Sequence, residues 1–250
     1  MCIMGKWLRL LLAFGGMAFL ADTAWAQSMS VNLNGTPGGS ATARLIELVV
    51  LMTVISLAPS ILIMTTSFMR IAIVLSFLRS ALGLQQTPPN QVLVGLALFL
   101  TMFVMSPVFE QAYDDGLKPL MEESITQDEA LNKISAPFHG FMLKHVREKD
   151  LQLFVSMSPK LLIDKPEDTP FRVLVPAFMI SELKRAFEIG FLIFLPFVVI
   201  DMLVASILMA MGMITLPPVQ ISLPFKLIFF VLVDGWHLVS GSLVQGFVPT

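Results

Sequence analysis

The chain has 250 residues, of which 56% are hydrophobic and only 14% are charged, and its formal net charge is −2. Soluble domains have roughly 25% charged residues, so this composition is typical of a membrane protein. This net charge argues against a nucleic-acid partner, which would need a clustered basic face. Its single cysteine, Cys2, excludes an internal disulfide and a cysteine-based zinc site.

The segment 1–26 has the three parts of a secretory signal peptide. Lys6 and Arg9 supply the positive start, a short apolar core follows, and Ala24 and Ala26 form the small-x-small cleavage pattern. The apolar core is too short to span a membrane, which takes about 20 residues. Cleavage after Ala26 makes Gln27 the first residue of the mature chain. The alternative is an uncleaved anchor.

Residues 27–44 are polar and glycine-rich, and we interpret them as a flexible leader. The N-terminal apolar region, 45–109, is interrupted first by Pro59. The proline predicts either one long kinked helix or two shorter helices. A polar turn with two prolines at 85–90 separates these from a further apolar helix, which we expect to end near Pro107.

The region 110–185 differs in composition, because it holds 23 of the 34 charged residues of the chain. We interpret it as a water-facing helical module. Thr126 and Glu129 fit a capping box that opens a helix, and Pro137 is expected to interrupt that helix. Further prolines, including Pro176, are expected to divide the remainder into short helices. No sustained period-two alternation is present, so we expect no sheet.

The C-terminal region, 186–250, contains two apolar segments of about membrane length, Phe187–Leu208 and Leu223–Phe247. They predict a helical hairpin. The fold class is therefore an all-α membrane protein, in which long kinked apolar helices form hairpins beside one charged helical module.

A loop at 209–218 joins the two apolar segments. Methionines alternate there with small residues, and a glycine and a proline pair then stop any helix. Because methionine is flexible and repacks against changing shapes, one hypothesis is a deformable seal that faces a pore. The alternative is that the methionines fill gaps at a hairpin tip. The loop residues concerned are Met209, Met211, Met213, Gly212, Pro217 and Pro218.

Charged residues in or beside the C-terminal apolar segments need partners or water, because each costs about 2.5–3.5 kcal/mol at the centre of a membrane helix. Helical spacing pairs Glu182 with Arg185 and Lys184 with Glu188. The candidates for contacts between helices or between subunits are Glu182, Arg185, Glu188, Asp201, Lys226 and Asp234.

Lys226 has no acidic residue within one helical turn. Its partner must therefore come from another helix or another subunit, and Glu182, Asp201 and Asp234 are the candidates. The alternative is that its long side chain snorkels from near a helix end to the membrane interface.

No catalytic, metal or cofactor site is predicted. His139 and His145 are six residues apart, so they do not share a helix face as i,i+4 ligands would. The chain has no phosphate-binding glycine loop, nucleophile elbow or metalloprotease helix. An ion-coupled secondary transporter that uses intramembrane carboxylates is the alternative to an assembled conduit, although the two halves of the chain do not match each other.

The orientation in the membrane depends on how the stretch 45–84 crosses it. One crossing places 85–90 inside the cell and 110–185 outside, whereas two crossings reverse both. The charged module exceeds the loop length of about 60 residues to which the positive-inside rule applies. The residues alone therefore leave the orientation open.

Several separated blocks of the sequence form a characteristic series. They are Thr66–Ile71 through Gln85–Gln91, Pro176–Lys184, Gly190–Phe191 through Pro196–Phe197 to Ile200–Asp201, and Leu223–Lys226 through Val233–Trp236. In order and spacing these blocks resemble the FliP family of flagellar type III secretion export-gate proteins and their injectisome relatives. The likeness runs from about Arg44 to the C-terminus, and the signal peptide resembles that of the flagellar members.

The resemblance implies a non-enzymatic subunit of the bacterial inner membrane in the flagellar basal body. It implies assembly of about five copies with FliQ and FliR into a helical gate, with FlhB and FlhA in the same apparatus. Unfolded flagellar proteins would pass through that gate, and the module 110–185 would face the periplasm. It also implies that the apolar hairpins are inserted among membrane lipids first. In the assembled gate they are largely lifted out of the bilayer and packed against neighbouring subunits.

The resemblance also places a methionine-rich pore loop, followed by a proline pair, on Met209, Met211 and Met213. Here the methionines alternate with small residues, whereas relatives can have them consecutive, and we favour Met211 and Met213 as the residues that reach the lumen. Charged contacts between neighbouring subunits are expected at the blocks that contain Glu182, Arg185, Asp201 and Lys226.

Overall fold

The computed structural model describes residues 41–157, 165–213 and 215–247, and every regular element in these ranges is helical, as the sequence predicts. The signal peptide with Ala24, Ala26 and Gln27, and most of the leader, lie outside the described residues. The helices are α1 (Ala41–Thr65), α2 (Phe68–Ala81), α3 (Asn90–Ala112), α4 (Lys118–Met121), α5 (Gln127–His145), α6 (Glu148–Ser156), α7 (Phe171–Ala210), α8 (Pro218–Leu232) and α9 (Gly235–Gln245). A π-helical turn, Tyr113–Leu117, joins α3 to α4.

Helix α7 is the longest element of the structure. Its 40 residues extend over about 60 Å, which is twice the roughly 30 Å of a bilayer core. Its first half is packed into the protein, with Leu174, Ala177 and Phe178 completely buried. Its second half is largely exposed along an apolar surface that includes Phe191 and Leu203. One helix therefore belongs both to the packed body and to the projecting hairpin.

The continuity of α7 corrects two sequence predictions. Pro176 was expected to divide this region, and Phe187 was expected to begin a separate apolar helix, but both lie inside α7. A proline inside a helix costs about 3 kcal/mol. Burial of the neighbouring Ala177 and Phe178 in the core offsets that cost, because a fully buried large apolar side chain contributes about 1.5–3 kcal/mol.

Helix α2 packs along α7 through a close approach of backbone and ring. An added Cβ at Gly190 would lie 2.4 Å from Cδ2 of Phe77, so only glycine fits there. The Phe77 ring also makes edge contacts with Phe187 and Phe194, with centroids 5.0 and 6.1 Å away. On the rest of its buried side, α2 contributes Ile71, among other residues, to the main apolar core.

Helix α5 begins at the predicted capping box. The Glu129 N–H donates to Oγ1 of Thr126 at 3.4 Å, and the Thr126 N–H donates to Oε2 of Glu129 at 3.1 Å. The expected interruption at Pro137 is wrong, because α5 continues to His145. Next to the proline, Phe138 packs edge-on against Phe109 of α3, with centroids 5.7 Å apart, and this contact helps to hold α5 in place where the hydrogen bond is missing.

Other helix ends also differ from the predicted positions. The stretch 45–84 forms two helices, which was one of the two alternatives, but the break lies at Thr66–Ser67 and Pro59 is inside α1. Helix α1 begins at Ala41, within the predicted leader. Helix α3 continues past Pro107 to Ala112. Prolines are tolerated inside apolar helices of this kind when neighbouring groups satisfy the freed carbonyl.

The segment Leu223–Phe247 does not form one straight helix. Helices α8 and α9 are bent by 62° at a short break, where Asp234 adopts the left-handed conformation with φ of 49°. A Cβ at Gly235 would lie 2.1 Å from the Phe230 ring. A residue that tolerates positive φ, followed by one without a side chain, therefore fixes the bend.

By length and composition, three helical stretches in the described ranges could each cross a membrane. They are Leu48–Thr65, Asn90–Met121 and Phe171–Ala210, and a fourth is present if the bent pair α8 and α9 counts as one span. The predicted multi-pass membrane class is therefore supported.

The contact between Gly190 and Phe77 gives a test of the packing of α2 on α7. We expect Gly190→Ala to destabilise the detergent-extracted protein by about 1–3 kcal/mol, because the ring must move to make room. Gly95→Ala is the matched control, since a Cβ there meets nothing within 4 Å. Thermal unfolding of both variants would measure the difference, and equal midpoints would contradict this packing.

Candidate functional site

A buried ion pair joins α2 to α7. The Arg70 guanidinium donates from Nε to Oε2 of Glu182 at 2.8 Å and from Nη2 to Oε1 at 2.5 Å. The two side chains are only 3% and 0% exposed. This two-bond geometry matches the planar fork of arginine to the carboxylate, which is the arrangement that best offsets the cost of burying both charges.

The same guanidinium also holds the C-terminal end of the described chain. Arg70 Nη1 donates to the backbone carbonyl of Gly246 at 3.4 Å. Its Cζ lies 3.7 Å from the centre of the Phe247 ring, a cation–π contact. Arg70 therefore ties three distant parts of the sequence together.

The predicted pairing of Glu182 with Arg185 is wrong, because Arg70 occupies both oxygens of the Glu182 carboxylate. Arg185 is half-buried, and it makes no hydrogen bond or ion pair with any residue in the described ranges. Lys184 and Glu188 do pair, at 3.1 Å, but both side chains are more than half exposed. Such a pair contributes at most a few tenths of a kcal/mol.

A second polar network, centred on Ser181, lies next to Glu182 in the sequence. Ser181 Oγ accepts a hydrogen bond from the Arg147 N–H at 3.0 Å and donates to Oδ2 of Asp150 at 2.6 Å. The Arg147 side chain makes two hydrogen bonds to the same carboxylate, of 2.8 and 2.9 Å. Ser181 is fully buried, so this network fixes the start of α6 on α7.

A third polar cluster lies where α8 returns along α7. Of the three carboxylates considered for Lys226, the structure places Asp201 beside it, with Nζ 2.6 Å from Oδ2. Lys226 also donates to the carbonyl of Ala81 at the end of α2, at 3.2 Å. Ser222 donates to the other Asp201 oxygen at 2.5 Å. The buried lysine is thus partnered within its own chain rather than snorkelling.

Asp234 makes no side-chain hydrogen bond or ion pair in the part of the chain that the structure describes, and it is exposed. Its observed feature is the left-handed backbone at the bend between α8 and α9. The described part of the chain thus supplies no charge partner for Asp234, and a contact with another subunit stays a prediction.

The methionine loop begins with a regular helix end. Gly212 has φ of 75°; its N–H donates to the Met209 carbonyl at 3.0 Å, and the Met213 N–H donates to the Leu208 carbonyl at 2.9 Å. These two bonds form a Schellman motif, which glycine favours because it has no Cβ. Pro217 then precedes α8, and Pro218 is its first residue. The sequence correctly predicts where the helix stops.

The three methionine side chains of the loop are all exposed. Met209 is 65% exposed, Met211 is 62% exposed and Met213 is 41% exposed. Met209 belongs to the last turn of α7, whereas Met211 and Met213 follow it. Within a single chain these methionines therefore do not fill gaps in a core, and they present flexible apolar surface at the tip of a hairpin.

One buried histidine lies beside the Arg70 cluster. The His145 ring is 7% exposed, and its centroid lies 4.7 Å from that of Phe141 and 5.2 Å from that of Phe247. Burial, together with the positive charges of Arg70, Arg185 and Lys144, lowers the pKa of His145 from 6.5 to about 4. The imidazole is therefore neutral at neutral pH.

These features define a class of protein: a multi-span helical membrane protein with buried ion pairs that join its helices and an exposed methionine loop. No group of three or more His, Cys, Asp or Glu side chains that could hold a metal ion occurs among residues 41–157, 165–213 and 215–247. Comparison with known proteins gives a more specific result. The model of the FliP family matches residues 51–243.

Three curated relatives align with this chain over most of their own lengths. The flagellar biosynthetic protein FliP of Caulobacter vibrioides is 59% identical over 92% of this chain and 86% of its own. FliP of Bacillus subtilis is 53% identical over 87% of this chain and 98% of its own. FliP of Rhizobium meliloti is 49% identical over 93% of this chain and 96% of its own. The chain belongs to the FliP family, and it is a non-enzymatic component of the flagellar protein export apparatus in the inner membrane.

The buried Arg70–Glu182 pair can be tested by single and double replacement. Glu182→Leu should lower the free energy of unfolding by about 3–5 kcal/mol, because it leaves the Arg70 cation buried without a counter-charge. Arg70→Met combined with Glu182→Leu should cost less than Glu182→Leu alone, since no buried charge remains. Denaturant unfolding of the extracted protein measures both. A double variant as unstable as the sum of its singles would contradict the pairing.

The lowered pKa of His145 predicts a pH dependence of stability. Between pH 6.5 and about 4 the unfolded chain binds a proton that the folded chain excludes, so stability falls as the pH falls through this window. At pH 5 the loss relative to pH 7.5 is about 2 kcal/mol from this residue. His145→Phe should remove that part of the dependence. If wild type and variant lost the same free energy of unfolding between pH 7.5 and pH 5, the lowered pKa of His145 would be contradicted.

Proposed function

We propose that this chain is a core subunit of the gate through which unfolded flagellar proteins cross the inner membrane. In this proposal several copies, about five, assemble with FliQ and FliR, and FlhB and FlhA adjoin them in the apparatus. The region 110–185 faces the periplasm. Membership of the FliP family supports the export role, and the exposed apolar half of α7 supports burial against other subunits or lipid.

The observation that supports a gate most directly is the methionine loop. Three flexible side chains are presented at a hairpin tip, beyond a helix end that Gly212 fixes. A seal in a protein-conducting channel must close when empty and yet deform around a polypeptide of varying sequence. Unbranched thioether side chains suit this task because they repack at low cost. Met211 and Met213, which follow the last residue of α7, are the residues we assign to the lumen.

The polar clusters are assigned different roles in this assembly. The pairs Arg70–Glu182 and Lys226–Asp201 are satisfied within one chain, so we assign them to holding the subunit in shape. Arg185, which has no ion-pair partner in the described part of its own chain, is assigned to a contact with a neighbouring subunit. Glu188 and Asp234 are exposed and can also meet neighbours.

The geometry weakens the transporter alternative. A coupling carboxylate must be free to bind and release an ion, but Asp201 is bonded to both Lys226 and Ser222. Glu188 pairs with Lys184. Asp234 is the remaining candidate, and it is exposed at the bend between α8 and α9. The native mass of the extracted complex separates the two functions, because several copies with small hydrophobic partners are expected of a gate and a lone monomer or dimer of a transporter.

The seal is tested by replacing Met209, Met211 and Met213 together with alanine. We expect the complex to assemble but ion leak through it to rise severalfold, because short side chains cannot fill the closed lumen. The measurement is conductance or dye entry in cells or vesicles that contain the whole complex. The matched control replaces Met102, Met121 and Met157, which are 60–71% exposed outside the loop. Unchanged leak in an assembled loop variant would contradict the seal.

A further inference from the structure

A groove of about 720 Å³ lies between α3 and α5 and is unconnected with the methionine loop. Its apolar lining includes Val108, Phe141 and Phe247, and its polar lining includes Gln111, Lys133 and Lys144. The volume is in the range of sites that enclose a ligand the size of several side chains. One end of the groove adjoins the Arg70 cluster, because Phe247 and His145 belong to its lining.

His145 lies at one end of the groove and can supply a hydrogen-bond donor there. Its side chain is more than nine-tenths buried, it lines the groove, and it makes no hydrogen bond or ion pair with any residue of the described ranges. Among the described residues, Ser67 Oγ is the buried side-chain polar atom that lacks a partner. The ring nitrogens of His145 are therefore not sealed in the core, and a ligand in the groove can reach them. Because the ring is neutral, one of its nitrogens has an N–H to donate into the groove.

The electrostatic environment of that end favours an anion. Arg185 and Lys144 act on His145 and have no ion pair of their own in the described ranges, whereas the nearby Arg70 is neutralised by Glu182. Lys144 itself forms no ion pair within the described part of the chain, and neither does Lys133, which lies eleven residues earlier on α5. A carboxylate placed beside His145 would receive charge-assisted hydrogen bonds from donors that otherwise have no acceptor.

The rest of the lining favours a polypeptide over a lipid. Asp115 is the one carboxylate among the described lining residues, and Gln111 has both donor and acceptor atoms. The backbone N–H groups of a peptide can satisfy Asp115, whereas the phosphate and ester groups of a phospholipid are acceptors that it would repel. The Phe141 and Phe247 rings, 6.0 Å apart and nearly parallel, provide an apolar wall for the flanking residues.

We propose that this groove binds an acidic segment of a neighbouring protein subunit, with a carboxylate held by His145 and Lys144 and apolar neighbours packed on Phe141 and Phe247. The inference rests on the proposed assembly, because it requires a second protein in the complex. Lys133, about 16 Å further along α5, defines where a second acidic residue of the same segment would lie.

The occupant can be captured in the intact complex. Gly140 lines the groove, and a Cβ added there meets nothing within 4 Å, so we choose Gly140→p-benzoylphenylalanine to carry a photoreactive group at the groove. We expect a cross-link to one protein segment that has an Asp or Glu within about a turn of the attachment point. A cross-link to lipid only, or to a segment without an acidic residue, would overturn the proposal.

Charge reversal then tests the recognition itself. Lys144→Glu should lower the cross-link yield about tenfold, because a lost charge-assisted bond is replaced by repulsion. Exchange of the captured acidic residue for lysine should restore it. Lys149→Glu makes the same charge change at an exposed position outside the groove and should have no effect. An unchanged yield in Lys144→Glu would overturn the site. A wild-type chain that extracts without partners would instead overturn the proposed assembly.

Discussion

The structure depends first on the buried bidentate pair between Arg70 and Glu182. Helix α2 and helix α7 are 112 residues apart in sequence at this contact, and neither charge has access to water. Because an unpaired charge in this position would be strongly unfavourable, the two helices can adopt only one register. The same guanidinium then fixes Gly246 and Phe247. The pair therefore defines where the N-terminal, central and C-terminal parts of the chain meet.

A second buried cation, Lys226, joins α2 to the base of the projecting hairpin. Lys226 contacts Asp201 on α7 and the free carbonyl of Ala81 at the end of α2, and a cation at a helix C-terminus is favoured by the helix dipole. The two arms of the hairpin and α2 are thus joined by one side chain. Beyond that point α7 continues for about two more turns before the loop. The loop is therefore presented by a hairpin that is held at its base and free at its tip.

Local signals in the sequence predicted local features well. The all-α class, the capping box at Thr126 and the helix stop at Gly212 follow from periodicity, hydrogen-bonding side chains and backbone preference, and the structure agrees. Proline was the main source of error, because Pro137 and Pro176 lie inside helices that tertiary packing stabilises. The pairing of Glu182 with Arg70 instead of Arg185 was also missed, since spacing reveals only partners within a few turns of the same helix.

The contrast between satisfied and unsatisfied charges indicates which surfaces the molecule uses for itself and which it leaves for others. Within the described ranges, Arg70, Lys226 and Arg147 each have a carboxylate, whereas Arg185 and Lys144 do not. These two cations lie near His145, at the edge of the packed body. We infer that two cations without a counter-charge, beside a histidine that can donate a hydrogen bond, suit an acidic neighbour. In the proposed assembly this surface therefore serves a contact between subunits rather than the fold of one chain.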